Sequence, residues 1–167
     1  MSIKFNKVSY GQFLEAYLNL TDGIEEATVK KLYENLKLPR RATQGSAGYD
    51  FFAPYGFSLE PNESIKIPTG INIEMIKARL FLMCVPRSSL GFKYRIQLDN
   101  TIGIIDSDYF NATNEGHIYL KMTNCGDKPL SVQQGEAIAQ GILMPYFVTD
   151  DDKATATRTG GFGSTNG

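Results

Sequence analysis

Residues Leu98 to Tyr109 read LDNTIGIIDSDY. Leu98 to Ile105 has the composition of a β-strand, with β-branched bulk at Ile102, Ile104 and Ile105 and a bare backbone position at Gly103. A glycine inside a strand marks a point where a ligand or another backbone comes close. Asp106 follows at once, an acid at the edge of an apolar wall, where burial or hydrogen bonding can adapt a carboxylate to act as a base. Tyr109 stands three residues further on and offers a flat ring to whatever fills the site. Taken alone, the stretch is also an ordinary strand that ends in a Ser-Asp turn. Its neighbours decide.

Outward from this stretch the apolar residues keep a period of two. Ile65 and Ile67 flank Lys66, Ile71 and Ile73 flank Asn72, and Ile118, Leu120 and Met122 alternate with His117, Tyr119 and Lys121. Turn signals at Pro61-Asn62, Thr69-Gly70, Asn124 to Asp127 and Gln134-Gly135 separate the runs. Short strands with no helical stretch between them predict an all-β, antiparallel jelly roll or barrel over residues 39-150. Residues 1-38 differ. Ser9 and Gln12 have capping-box spacing, with Val8 and Phe13 placed as a hydrophobic staple. Phe13, Leu14, Tyr17 and Leu18 share a helical face; Asp22 and Glu25 repeat the capping-box spacing. Val29, Leu32, Tyr33 and Leu36 follow at i, i+3, i+4 and i+7, and Pro39 ends the run. The pattern predicts an N-terminal α-hairpin added to the β core as a packing surface. Residues 151-167 are polar and then Gly-rich, with too little apolar content to pack alone, and are expected to form a mobile tail.

A chain of 167 residues suits one domain with a sizeable core. A net charge of -1 gives no general attraction to nucleic acid or to a membrane surface, and no apolar run approaches the length of a membrane span. The N-terminal MSIKFNK has neither an apolar core nor a cleavage-like site, so a cytoplasmic location is expected. Cys84 lies in an apolar strand pattern and Cys125 in the turn NCGD; their spacing suits no metal, and free thiols are expected over a disulfide. His117 is the single histidine, which leaves no multi-histidine metal site or histidine-based triad.

Five segments carry polar chemistry against this β background. They are Ala47-Gly48-Tyr49-Asp50; Pro86-Arg87-Ser88-Ser89-Leu90; the stretch Leu98 to Tyr109; Gly135 to Gln140; and Arg158 with Gly160-Gly161-Phe162-Gly163-Ser164-Thr165. Each alone is ordinary, since loops collect such residues for turn geometry, and the glycine run lacks the Lys and helix of a P-loop. Together, two arginines, several hydroxyls and a glycine cradle suit a polyphosphate. One acid beside an apolar wall suits the activation of water.

In this order the five segments resemble the five motifs of the trimeric deoxyuridine triphosphatases (dUTPases). AGYD matches the first, and RSSLGFKY, DNTIGIIDSDY, GEAIAQGI and GGFGST match the second to fifth, over roughly Leu38 to Gly167. The resemblance implies a jelly-roll subunit, a homotrimer with shared active sites, and hydrolysis of dUTP to dUMP and pyrophosphate with Mg2+. It implies that Asp106 activates the water that attacks the α-phosphorus and holds the sugar 3′-hydroxyl. Gln140 would bind near the α-phosphate, Ser88 would donate to the α/β-bridging region, and Arg87 would support the phosphates or a subunit contact. Ser89 follows in the same loop. Asn100 and the backbone of Gly103, Ile104 and Ile105 would read the uracil edge, and Tyr109 would stack on the deoxyribose and crowd out a ribose 2′-hydroxyl. Phe162 would cover the uracil, with Gly163 beside it, while Arg158, Ser164 and Thr165 would grip the β- and γ-phosphates. Asp50 would act through water near the metal.

The chain departs from the family pattern in five places. The family often has glycine where Ser89 and Arg95 stand. Phe110 to Gly116 is a few residues longer than the common form, only Thr159 separates Arg158 from the glycine pair, and the N-terminal hairpin is additional. The runner-up activity is that of a dCTP deaminase-like nucleotide enzyme, which shares the fold. A reading of another class is a nucleotide-gated regulatory binding protein, with a protein partner on the hairpin or on the 110-115 insertion.

Overall fold

Alternating apolar and polar residues become paired strands along most of the chain. The computed structural model describes residues 2–21, 23–76 and 78–160. Strand β1 (Ser2–Lys7) opens the chain, followed by helices α1 (Tyr10–Leu18) and α2 (Glu26–Glu34). The β core then comprises β2 (Gly48–Phe52), β3 (Phe57–Leu59), β4 (Ser64–Pro68), β5 (Ile71–Ile76) and β6 (Leu80–Pro86). After helix α3 (Ser88–Tyr94) come β7 (Ile96–Leu98), β8 (Gly103–Ile105), β9 (Tyr119–Asn124), β10 (Leu130–Val132) and β11 (Ala137–Pro145). Among the described residues the strands pair as β1-β5, β10-β3, β2-β11-β6-β8 and β4-β9-β7, all antiparallel. The arrangement is the expected jelly-roll-like β core with helices at its N-terminal side.

Inward-facing residues of these strands form the main core, including Phe51, Ile67, Ile73, Leu82, Ile118, Met122 and Ile138, each almost wholly removed from water. Full burial of a side chain of this size contributes about 2 kcal/mol. Both cysteines are free, and burial pushes the Cys84 thiol up to about 12, so Cys84 behaves as a small core residue.

Three local expectations are corrected. The chain begins as a strand, because Ile3 and Phe5 alternate with Lys4 and Asn6 and pair along β5, with Phe5 opposite Ile73 and packed on the core. The stretch Leu98 to Ile105 is not one strand but a tight turn that passes from β7 in one sheet to β8 in another. Its Asp99-Asn100 corner is closed by Thr101 N–H donating to the Leu98 carbonyl at 2.8 Å, with Thr101 left-handed at φ 66°. Helix α2 starts after Glu25, which offers no side-chain cap; Asp22, expected as the cap, lies outside the described residues.

The first cap is as expected in one direction. Ser9 Oγ accepts from the backbone N–H of Gln12 at 3.2 Å, while Val8 and Phe13 are buried together with Tyr17 and Val29 in a second, smaller core. That core is joined to the sheets through Gly70, whose φ of 72° and whose contact with Phe13 and Leu36 leave no room for a Cβ. The Gly70 carbonyl accepts from Val8 N–H at 3.0 Å, and its N–H donates to Nε2 of His117 at 2.8 Å. The His117 proton must then sit on Nδ1, which is buried with no hydrogen-bond partner among the described residues.

Burial pushes His117 down to about 4 from an ordinary 6.5, with the Glu115 carboxylate acting in the opposite direction. The folded chain therefore keeps the ring neutral in a window where the unfolded chain protonates it. The contribution is complete above pH 6.5 and is lost as pH falls toward 4, at up to about 1.4 kcal/mol per pH unit. Thermal unfolding followed across that window is expected to show a steeper fall for the wild type than for His117→Gln, whose amide oxygen can still accept from Gly70. Equal slopes would show that His117 titrates alike in both states.

Candidate active site

Two groups of the sequence-derived site residues come together, at different places along strand β6. The first lies where β2, β11 and β6 run side by side. Gln140 on β11 stands opposite Asp50 on β2 and opposite Val85 on β6. Its Nε2 donates to Asp50 Oδ1 at 3.2 Å, and Arg87 Nε lies 3.6 Å from the same oxygen. Asp50 is only 6% exposed, so its charge is held by this amide and this guanidinium. A Cβ at Gly48 would press on the Gln140 side chain at 3.2 Å, which explains a glycine there. Asp50 was expected beside a metal through water; what the structure places against it is Gln140 and Arg87.

Beyond Pro86 the chain turns directly into α3, where a loop was expected. Arg87 N–H donates to the Ile138 carbonyl at 3.2 Å and ties this turn to the start of β11. Ser88 and Ser89 open the helix and face solvent. Arg95 closes it in a left-handed conformation, φ 53°. That conformation is the one glycine takes without strain, which accounts for the glycine common at this position in the resembling family.

The second group belongs to the turn between β7 and β8, to β8 itself and to the loop after it. Asn100, Gly103 and Ile105 line a cavity of about 440 Å3 together with Cys84, Leu98 and Tyr119. A Cβ on Gly103 would lie 3.1 Å from that of Cys84, so the bare position lets β8 close on β6. The turn between β7 and β8 is held by Asp99, which pairs with Lys121 at 2.8 Å and accepts from Thr123 Oγ1; these bonds hold its carboxyl below the usual carboxylate range. Ile104 points outward and is half exposed.

Asp106 is exposed, not sheltered by an apolar wall as expected, and its carboxylate is paired with Arg158 at 2.7 Å. Arg158 also reaches Asp108 at 3.1 Å and lies over the Tyr109 ring. Tyr109 is buried, and its hydroxyl donates to the His117 carbonyl at 2.9 Å while accepting from Asn114 Nδ2 at 2.8 Å. Burial raises the phenol, opposed by Asn114 and Arg158. Asp108, Asn114, Asp99 and Lys121 were missed in the sequence. Asp108 was legible as the second acid of DSDY, whereas the others become neighbours only through sheet pairing and a turn. Phe162, Gly163, Ser164 and Thr165 lie outside the described residues.

The two groups do not meet within one chain. Ile105 stands opposite Leu82 and Gln140 opposite Val85, so continuation to Asp106 leaves the two side chains four residues apart along β6, roughly 13 Å. Among the described residues no three His, Cys, Asp or Glu side chains converge as a metal site. The donor set, one buried carboxylate beside a cation and an amide, suits an ion that arrives with its own ligands and waters. Among the described residues no helix is long and apolar enough to cross a membrane.

A family model described as dUTPase matches residues 34–166. A deoxyuridine 5'-triphosphate nucleotidohydrolase of Lactococcus lactis subsp. lactis is 39% identical over 143 residues, covering 84% of this chain and 95% of the relative. One of Hahella chejuensis is 38% identical, covering 81% and 91%. Among solved structures, a dUTPase from Streptococcus mutans superposes with a TM-score of 0.64 at 31% identity, covering 87% of this chain and 98% of that one. A mutant dUTPase from phage phi11 of S. aureus, described with a structural Mg(II) ion, shares the fold with a TM-score of 0.64 at 16% identity and covers 93% and 98%. With the family match spanning the β core and every motif, this chain belongs to the dUTPase family.

Proposed function

We propose that the protein hydrolyses dUTP to dUMP and pyrophosphate in an active site shared between subunits of a homotrimer. The observation that carries this reading is the place of β8. It is the outer strand of its sheet, so one backbone edge of Gly103, Ile104 and Ile105 is left open beside the 440 Å3 cavity that Asn100 also lines. An open strand edge offers alternating N–H and C=O groups, as a pyrimidine partner does. A base that mismatched them would leave buried polar groups unpaired. The same strand leads directly to Asp106 and Tyr109. The names of the relatives favour this hydrolase over the deaminase and over the regulatory binding protein.

In this reading Asp106 accepts a proton from water, the resulting hydroxide attacks the α-phosphorus, and the α/β-bridging oxygen leaves with pyrophosphate. Gln140 orients the water and the α-phosphate, held by Asp50, while Ser88 O–H and Arg87 stabilise the leaving charge. Ser89 supports the same loop. Tyr109 stacks on the deoxyribose. Arg158 passes from Asp106 to the β- and γ-phosphates with Ser164 and Thr165, which frees the base, while Phe162 and Gly163 cover the uracil. Mg2+ held by the triphosphate would neutralise phosphate charge, with Asp50 reaching it through water.

Sharing between subunits is supported by the separation of Asp106 and Gln140 along β6. Exposed apolar residues stand beside both groups, Phe92 after Ser88-Ser89 and Ile104 before Asp106, as expected of surfaces that meet another copy. The cytoplasmic location goes with this reading, since both cysteines are free thiols.

Pyrophosphate release measured with Mg2+ against dUTP, dTTP, dCTP and UTP is expected from dUTP alone; equal release from dCTP or UTP would defeat the base-reading edge or the sugar filter. Asp106→Asn and Gln140→Ala should each lose turnover, by about a thousandfold for the former. Co-refolding the two in equal amounts should restore activity at about a quarter of the sites, because a random trimer pairs an intact Asp106 with a neighbour's intact Gln140 that often. No recovery would place the whole site in one chain. Asp50→Asn should lower kcat by about a hundredfold through loss of Gln140 and Arg87 alignment, with thermal stability measured in parallel. A kcat near that of the wild type would show that the carboxylate is dispensable for positioning.

A further inference from the structure

We propose that Asn114 and Glu115 are positioning residues for sugar discrimination, holding the Tyr109 ring in place by fastening the loop after it to the N-terminal helix. The inference rests on the reading of Tyr109 as the filter against a ribose 2′-hydroxyl. Its geometry is independent of that reading.

The Tyr109 hydroxyl has a single hydrogen, which is given to the His117 carbonyl at 2.9 Å. A group that faces its lone pairs must therefore donate, and Asn114 Nδ2 does so at 2.8 Å. This fixes the orientation of the Asn114 amide, whose Oδ1 is buried without a hydrogen-bond partner among the described residues. A buried acceptor left unpaired is costly and calls for an explanation. Commitment of the amide to Tyr109 supplies one.

Asn114 is in turn held by the loop that carries it. Ala112 N–H donates to the Tyr109 carbonyl at 3.0 Å, Glu115 N–H to the Ala112 carbonyl at 2.8 Å, and His117 N–H to the Asn114 carbonyl at 3.0 Å. Glu115 and Gly116 are both left-handed, φ 57° and 66°. A Cβ on Gly116 would lie 2.7 Å from Phe110 Cα, so the turn is closed tightly on the residue after Tyr109. The Glu115 carboxylate then accepts from Ser9 N–H at 2.7 Å and Ser9 Oγ at 2.6 Å, and its carbonyl accepts from Asn72 Nδ2 at 2.8 Å. Ser9 is the N-cap of α1, so the carboxylate takes the place of the reciprocal glutamine in a capping box and lies at the positive end of the helix. The longer loop and the N-terminal addition are thus two halves of one brace. Its far end is the ring expected to lie under the sugar.

A ring held on both sides of its hydroxyl rejects an extra oxygen on the sugar. A ring free to tilt admits it. The test is kcat/KM for dUTP and for UTP in Asn114→Ala, Asn114→Asp, Glu115→Gln and Ser9→Ala, with Tyr109→Ala and Tyr109→Phe alongside, and with oligomeric state and circular dichroism of each. Asn114→Asp keeps the shape but turns the donor into an acceptor. It is expected to lose about tenfold in dUTP-over-UTP preference, chiefly through a rise for UTP, with smaller losses in the other three. In the Tyr109→Phe background Asn114→Ala should add nothing, since the bond it removes is already gone. Parallel loss for both nucleotides, with the preference unchanged, would make the brace merely structural and overturn the proposal. A preference altered by Tyr109→Ala but by none of the four brace variants would also overturn it while leaving Tyr109 as the filter. If Tyr109→Ala itself leaves the preference unchanged, the underlying reading of Tyr109 fails. Should Asn114→Asp misfold, Glu115→Gln and Ser9→Ala act on the same brace from the surface and decide the outcome.

Discussion

Strand β6 is paired along both of its edges, with β11 on one side and β8 on the other, and this pairing places Gln140 and the backbone of Gly103, Ile104 and Ile105. Its C-terminal end delivers Arg87 and the start of α3 next to Asp50 and Gln140. Its middle residues, Leu82 to Cys84, align β8 antiparallel, so that the strand leading to Asp106 is carried away from that group. Backbone hydrogen bonding thus sets a separation that no side-chain rearrangement can close, since each residue of strand advances the chain by about 3.3 Å. In the proposed function, the group around Gln140 and the group around Asp106 act as two half-sites, which another copy completes.

Within each half the electrostatics are local. Asp50 is buried and neutralised by a guanidinium and an amide, which gives those two groups a fixed heading. Asp106 is exposed and meets Arg158. The contrast suits the proposed roles, because a carboxylate that orients others is best held dry and a base must exchange protons with water. The segment through Gly160 also lies against the loop after Tyr109, where Thr113 N–H donates to the Thr159 carbonyl at 3.4 Å. The tail therefore rests on the same loop that the N-terminal helix braces.

The additional N-terminal segment is built into the fold by ordinary means. Phe13 and Val8 form a small core that meets the sheets at Gly70, where the backbone must turn left-handed under two side chains. His117 answers the Gly70 N–H from the other side, at the cost of a buried, neutral imidazole. The hairpin and the longer loop, each a candidate partner surface when read alone, spend part of their polar groups on each other.

Much of this was legible in the residues. Period-two alternation from Ile65 to Met122 specifies strands because successive side chains point to opposite faces. Ser9 with Gln12 specifies a helix start because a hydroxyl there satisfies an otherwise orphaned N–H. The five motifs, in their order, pointed to the family that the comparisons show. Other features needed the folded chain. Residues 2–7 carry only two apolar positions, too few to mark a strand until β5 lies beside them to pair. Asp99 and Asn100 break the run from Leu98 to Ile105 because a corner there is secured by Lys121 and Thr123, distant in sequence. The hold of Asp50 on Gln140, the offset of roughly 13 Å along β6 between Gln140 and Asp106, and the clasp of Glu115 on Ser9 all depend on which strands lie side by side. Local sequence determines which element each residue belongs to; only tertiary pairing, by choosing the neighbours across the sheet, decides which side chains meet.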